Sequence, residues 1–236
     1  MSKPYIIIPY MQALLSTTYF GPVQWYQKLC RYDSVLIERC ESYRKQTYRN
    51  RCIIAAANGP QALTVPVERT GDGSRLLTRD VRISDHGNWR HLHWHALMSA
   101  YSESPFFDYY ADDLRPFYEK RWEFLCDFNE AICATVCSLL DIHPDVHSTD
   151  SYVDAATCLM PDEAHAGHNV GDAEAHCGGL VDLRDAIDPK HPADDPDFTA
   201  RPYYQVFERR HGFLPNLSIL DLLFNMGPEG IFWLVK

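Results

Sequence analysis

No apolar run in this 236-residue chain approaches the roughly 18–20 residues that a membrane-spanning helix needs. Nor does its start read as a secretory leader. Lys3 is the lone cation before the short run Ile6-Ile7-Ile8, which Pro4 and Pro9 flank, whereas a leader needs a longer apolar stretch and a small-residue cleavage site. Tyr5–Ile8 is therefore expected to be a buried strand. Positive charge is also scarce. Lys and Arg number 22 against 32 Asp and Glu, a net charge of -10, which argues against a general nucleic-acid surface and against docking on anionic membranes. None of the eight cysteines forms a CxxC pair, so zinc-ribbon and thioredoxin motifs are absent. Cys133 and Cys137 sit among apolar neighbours, where free thiols behave as small hydrophobes. A reducing, cytoplasmic setting follows as the expectation. GxSxG, Walker A and GxGxxG motifs are missing. With no internal repeat and no linker, residues 1–236 are expected to form a single domain.

What is present begins with a strand–helix–strand pattern. Ala13–Tyr19 reads as a strand, Val23–Tyr32 as a helix opened by Gly21-Pro22, and Ser34–Ile37 as the next strand. Val23, Tyr26, Leu29 and Cys30 share one helical face. This predicts an α/β fold: a mixed sheet starting with a β-α-β unit and flanked by helices, with α+β as the alternative. Cys52–Ala57 and Leu63–Val67 read as a hairpin about Asn58-Gly59-Pro60. Gly71-Asp72-Gly73 is a turn, Thr78–Ile83 a strand and Trp89–Tyr101 a helix. The spacing of Tyr118, Trp122, Leu125, Ile132, Val136 and Leu139 predicts one long mid-chain helix over Asp113–Leu140. Residues 158–179 have no period and read as a mobile loop, in which His165, His168 and His176 are incidental. Tyr203–Phe207 reads as a short strand and Ile219–Asn225 as a helix capped by Ser218.

Three segments could carry chemistry. At Tyr19-Phe20-Gly21-Pro22-Val23-Gln24 a tight turn leads into a helix N-terminus; this is either an anion site or a purely structural turn. In Tyr43–Arg51, the cations Arg44, Lys45, Arg49 and Arg51 stand among Tyr43, Gln46, Tyr48 and Asn50. A solvated edge would explain the charges, but the interleaved directional groups favour a pocket for phosphate or carboxylate. Trp89–His95 carries His91, His93 and His95. On a helix His91 and His95 share a face that His93 does not, and without the Glu of HExxH a metal site lacks its motif. The aromatic run around Tyr101 reads as core, or in part as pocket lining, and the polar residues of the tail as cap and turn chemistry.

Taken together, YFGPVQWYQK (19–28), YRKQTYRNRC (43–52), LTVPV (63–67), HW…SAYSESPFFDYY (93–110), DLR…PK (182–190), YYQVF (203–207) and LSILDLLFNMGPE (217–229) resemble the WbqC-like protein family. The resemblance spans nearly the whole chain in order. It implies a bacterial protein. Some relatives are encoded with surface-polysaccharide genes, an association that suggests aminoacyl or acyl modification of amino sugars. It supplies no established catalytic residue, no cofactor and no oligomeric state. The positions belonging to its pattern are Tyr19, Gly21, Gln24, Lys45, Arg49, Asn50, Arg51, His93, Tyr101, Gln205 and Asp221.

The expected function is a transferase acting on an anionic small molecule, such as a nucleotide-linked amino sugar. Lys45, Arg49 and Arg51 would converge with Gly21 and His93 on one pocket, with Tyr19, Gln24, Asn50 and Gln205 as further ligand contacts. His93 would act as general base with Tyr101 beside it. The alternatives are a non-catalytic binding or assembly protein, and a metal-dependent hydrolase built on His91, His93 and His95.

Overall fold

The computed structural model describes residues 10–68, 75–154, 179–193 and 195–235. The expected strand at Tyr5–Ile8, the turn at Gly71–Gly73 and residues 158–178 of the expected mobile loop lie outside the described residues. Strand β1 (Met11–Ser16), helix α1 (Val23–Arg31) and strand β2 (Ser34–Glu38) form the predicted β-α-β unit, with Gln12 opposite Ser34 and Ser16 opposite Glu38 in parallel register. An all-parallel sheet is completed by β5 (Val146–Ser148) beside β2 and β6 (Gly179–Asp182) beside β1, in the order β5-β2-β1-β6. A separate antiparallel hairpin pairs β3 (Arg51–Ala56) with β4 (Gly59–Thr64). Its turn is Ala57-Asn58, because Gly59, at φ +108°, already opens β4 opposite Ala56. Flanked by helices, this is an α/β arrangement with mixed strand directions. Among the described residues no helix is long and apolar enough to cross a membrane.

Helix α1 is buried along its whole middle, from Val23 to Leu29. Polar Gln24, Gln27 and Lys28 are therefore interior. Lys28, 0 % exposed, meets Asp195 at 2.7 Å, and Gln24 Nε2 donates to the same carboxylate at 2.7 Å. Burial alone would raise the Asp195 carboxyl, but these donors hold it below its ordinary value. Gly21 is required at the entry to α1, since a Cβ there would fall 2.4 Å from Thr18 Oγ1.

Three expected elements differ. Helix α2 (Trp89–Tyr101) lies where predicted, but Asp113–Leu140 is divided among α3 (Phe107–Leu114), α4 (Pro116–Glu119) and α5 (Leu125–Leu139). Pro116 lacks the N–H that a continuous helix needs. The chain then runs extended to reach residues 81–83: Ile83 N–H donates to Glu123 O, and Leu125 N–H to Val81 O, both at 2.9 Å. That pairing preserves the helical-looking apolar spacing while breaking the helix. Thr78–Ile83 is not a strand either. A 3-10 turn covers Thr78–Asp80, and isolated bridges follow at Arg82 and Ile83, although Val81 and Ile83 are both buried as their alternation implied. Tyr203–Phe207 forms no strand, because Gln205 turns inward and binds Leu214 N–H and C=O through its side chain.

The C-terminal elements are α6 (Glu208–His211), α7 (Ile219–Met226) and α8 (Ile231–Leu234). The residues just before α7 cover the start of α1. Val23 N–H donates to Leu217 O at 3.0 Å, Gln24 N–H to Asn216 Oδ1 at 2.9 Å, and Ser218 Oγ to Phe20 O at 2.8 Å. Helix N-termini leave such donors free for a cap, and here the cap is the protein's own tail.

Arg49 is likewise part of the frame. It is 2 % exposed and makes a bidentate pair with Glu41 (2.7 and 2.6 Å), while its remaining donors reach Ser16 Oγ at 2.7 Å and Thr47 Oγ1 at 3.2 Å. Truncating one partner of a buried pair strands the other's charge, at a cost of about 3–5 kcal/mol. Arg49→Ala is therefore expected to lower unfolding free energy by about that amount in denaturant titration. A change below about 0.5 kcal/mol would contradict this assignment.

Candidate functional site

Strands of an open parallel sheet present their binding crevice outside their carboxyl ends, where successive connections leave in opposite directions. Here the chain moves outward from β1 to β2 and β5, then returns to the far side of β1 as β6. The switch falls between β1 and β6. The ends there are Ser16-Thr17-Thr18 after β1 and Leu183-Arg184 after β6, with Glu38 to Ser42 at the end of the adjacent β2.

Glu38 is fully buried at the end of β2. It accepts from Cys40 N–H (2.7 Å), Thr149 Oγ1 (2.7 Å) and Val153 N–H (2.8 Å), and Arg184 Nη1 lies 3.6 Å away. Arg184 also forks onto Asp182 (2.9 and 2.6 Å) and stacks 5.1 Å over the Tyr152 ring. Hydrogen bonding to Asp182 raises its pKa, so it is a permanent cation. Beyond it opens a cleft of about 500 Å³ lined by Arg44, Arg75, Arg184, Tyr152, Cys40, Ser42 and the carboxylates Glu41 and Asp185. Glu41 is matched by Arg49 and Asp185 by Arg44, whereas Arg75 is exposed. A narrow recess lined by Thr17, Thr18, Trp25, Arg49 and Arg184 adjoins the cleft through Arg184.

The site residues expected from sequence fall into separate groups. Arg49 belongs to the buried pair with Glu41, and Lys45 stands exposed. Arg51 is half-buried on β3 and donates to Thr64 Oγ1 at 3.1 Å, while Asn50 donates to Val65 O at 2.8 Å. Gly21 and Gln24 are enclosed by the tail, so the helix N-terminus is not open to an anion. His93 is 6 % exposed, its Nδ1 2.9 Å from Tyr19 Oη, which also meets Tyr118 Oη at 3.1 Å. Burial lowers the His93 pKa to about 4, against a hydrogen bond to the Thr64 backbone that raises it. It is a buried imidazole bonded within the core to Tyr19. Tyr101, 1 % exposed, donates to Asp221 Oδ1 at 2.9 Å, and Tyr203 Oη and Gln205 Nε2 each donate to Oδ2 at 2.8 Å. Burial lifts the Asp221 carboxyl to about 6, less than it otherwise would because of these three donors. Asp221 therefore anchors a polar core and does not act only as a cap residue.

His91 and His95 lie side by side, with ring centroids 4.0 Å apart, while His93 points into the core. Among the described residues no three His, Cys, Asp or Glu side chains come together as a metal ligand set. The metal-hydrolase alternative therefore has no ligand set in the described part of the chain.

Arg44, Arg75, Arg184 and Tyr152 were not singled out by spacing as one site, since they come from four separate segments. One local signal existed: SVLIE (34–38) ends a buried strand on a charge.

A profile of the WbqC-like protein family matches residues 17–164. The uncharacterized protein Rv1507c of Mycobacterium tuberculosis is 31% identical over 225 residues, covering 92% of this chain and 94% of that protein. No solved structure matches.

The His93 environment has a pH consequence. Its folded pKa, about 4, lies below the ordinary 6.5, so its stabilisation is complete above pH 6.5 and is lost as pH falls towards 4, by about 3 kcal/mol. Asp221 acts in the opposite sense: its contribution is present in acid and lost as pH rises from 3.8 to about 6. Comparing His93→Gln with the wild type isolates the first effect. The variant is expected to show a shallower fall in melting temperature between pH 6.5 and 4, and identical slopes would overturn it.

Proposed function

The chain belongs to the WbqC-like protein family, and from that footing we propose that it is a transferase whose anionic small-molecule substrate binds at the carboxyl edge of the parallel sheet. The observation that carries this reading is the convergence of Arg44, Arg75 and Arg184 on one cleft at that edge. Guanidinium groups bind phosphate and carboxylate through paired, charge-assisted hydrogen bonds. Arg184 is oriented in advance by Asp182 and Tyr152. Arg44 is held by Asp185, whose side chain is 80 % exposed. An incoming phosphate can replace that carboxylate at small cost, because exposed ion pairs contribute little. A nucleotide-linked amino sugar supplies such phosphates, and aminoacyl or acyl transfer to its amine is the reaction that the family's association with surface polysaccharides suggests.

The test is calorimetric titration with inorganic pyrophosphate and with a uridine-diphosphate amino sugar. The wild type is expected to bind both. The double variant Arg44→Ala/Arg75→Ala is expected to bind at least about tenfold more weakly, a loss of about 1.4 kcal/mol. Its stability should change by less than about 1 kcal/mol, since both residues are exposed. Absence of wild-type binding, or equal binding by the double variant, would reject the cleft as the anion site.

A further inference from the structure

Helix α2 carries two imidazoles side by side. His91 and His95 stand four residues apart, the spacing that brings side chains together on one helix face, and their ring centroids are 4.0 Å apart. Both residues are exposed, whereas His93 between them is buried in the core. Among the described residues neither ring of the pair has a hydrogen-bond or ion-pair partner. His143 and His147, by contrast, each meet an aspartate.

Imidazole is the commonest side-chain ligand of transition metals. Metal–nitrogen bonds of about 2.0–2.1 Å set two neighbouring ligand nitrogens about 3 Å apart. Rings centred 4.0 Å apart reach that spacing by small side-chain rotations. Because one helix holds both rings, the second bond forms intramolecularly once the first is made, so the pair binds more tightly than either ring alone.

The two rings line a cleft of about 570 Å³. Its fixed charges are largely matched: Arg90 and Arg121 meet Asp85 (2.6 and 3.4 Å), and Arg115 meets Glu119 (2.7 Å). Three guanidiniums against two carboxylates leave an excess positive charge, which opposes any cation. Water and salt screen that repulsion, since Arg115, Arg121 and Glu119 are well exposed. The balance weighs most against hard cations such as magnesium, which need oxygen ligands, and least against transition metals, which bind through the imidazole lone pairs.

We propose that His91 and His95 form a two-histidine chelate for a divalent transition metal of the zinc, nickel and copper group. Two side chains are one fewer than a catalytic zinc site uses, so water fills the remaining positions, and the pair is distinct from a three-histidine hydrolytic centre. The inference is independent of the anion reading, because it rests on different residues and on a ligand of opposite charge.

The probe is Zn²⁺, titrated into the full chain and followed by long-range ¹H–¹⁵N NMR of the imidazoles, with Mg²⁺ as the hard-cation control. Zinc also binds thiols and other imidazoles, so the readout has to be specific to each ring. The His91 and His95 signals are expected to move together in one saturable step, with those of His93 unmoved and no response to Mg²⁺. His91→Ala and His95→Ala should each weaken the zinc step at the remaining ring by at least about tenfold. Both variants should melt within about 2 °C of the wild type, since both side chains are exposed. No zinc response at the pair, a response at one ring only, an equal response to Mg²⁺, or wild-type affinity at the remaining ring of both variants would overturn the proposal.

Discussion

A guanidinium withdrawn from water must have every donor matched, and much of this structure is arranged around meeting that condition for Arg49. Its side chain joins the end of β1 through Ser16 to the loop after β2 through Glu41, while its backbone oxygen accepts from Asn129 on α5. One residue thus ties the sheet, the approach to the β3–β4 hairpin and the longest described helix to one point. Unpaired burial would cost several kcal/mol, so these elements can adopt few other relative positions while Arg49 remains inside. The neighbouring carboxyl edge is organised in the same way, with Glu38 held by two backbone N–H groups and a threonine, and Arg184 held by Asp182.

The same logic recurs through the core. Tyr19, His93 and Tyr118 share hydrogen bonds, Asp221 gathers Tyr101, Tyr203 and Gln205, and Asp195 gathers Lys28 and Gln24. Most residues through which the chain resembles its family are interior: Tyr19, Gln24, Arg49, Asn50, His93, Tyr101, Gln205 and Asp221 are all buried. Family likeness of this kind describes the polar interior first. Arg44 and Arg75, which line the cleft, lie at exposed positions where the fold itself asks little of the side chain.

The arginine cleft and the cavity between α5, α1 and the sheet differ in a way that follows from their walls. The cleft takes its side chains from loops rich in arginine, whereas the cavity is walled by an inward helix face and strand residues selected for packing. A rigid sheet that presents loops at one edge can hold unlike chemistries side by side without changing its core.

Local pattern was enough for the β-α-β unit, α2 and α7, because each is specified by spacing within a few residues, and for the presence of the hairpin, whose second strand is 59–64 where 63–67 was expected. It also placed Val81 and Ile83 inside. It could not divide 113–140, since an extended segment pairing with residues 81–83 leaves the same apolar residues buried as a helix would. Nor could it identify β5 and β6, which are short and gain their hydrogen bonds from strands far along the chain. The chemistry of the cations was the least legible part. Arg44, Lys45, Arg49 and Arg51 look alike in sequence, yet one lines a cleft, one is solvated, one is a buried ion pair and one braces a hairpin. A charge is assigned by the partner that meets it, and partners such as Asp195 for Lys28, 167 residues away, exist only once the chain has folded.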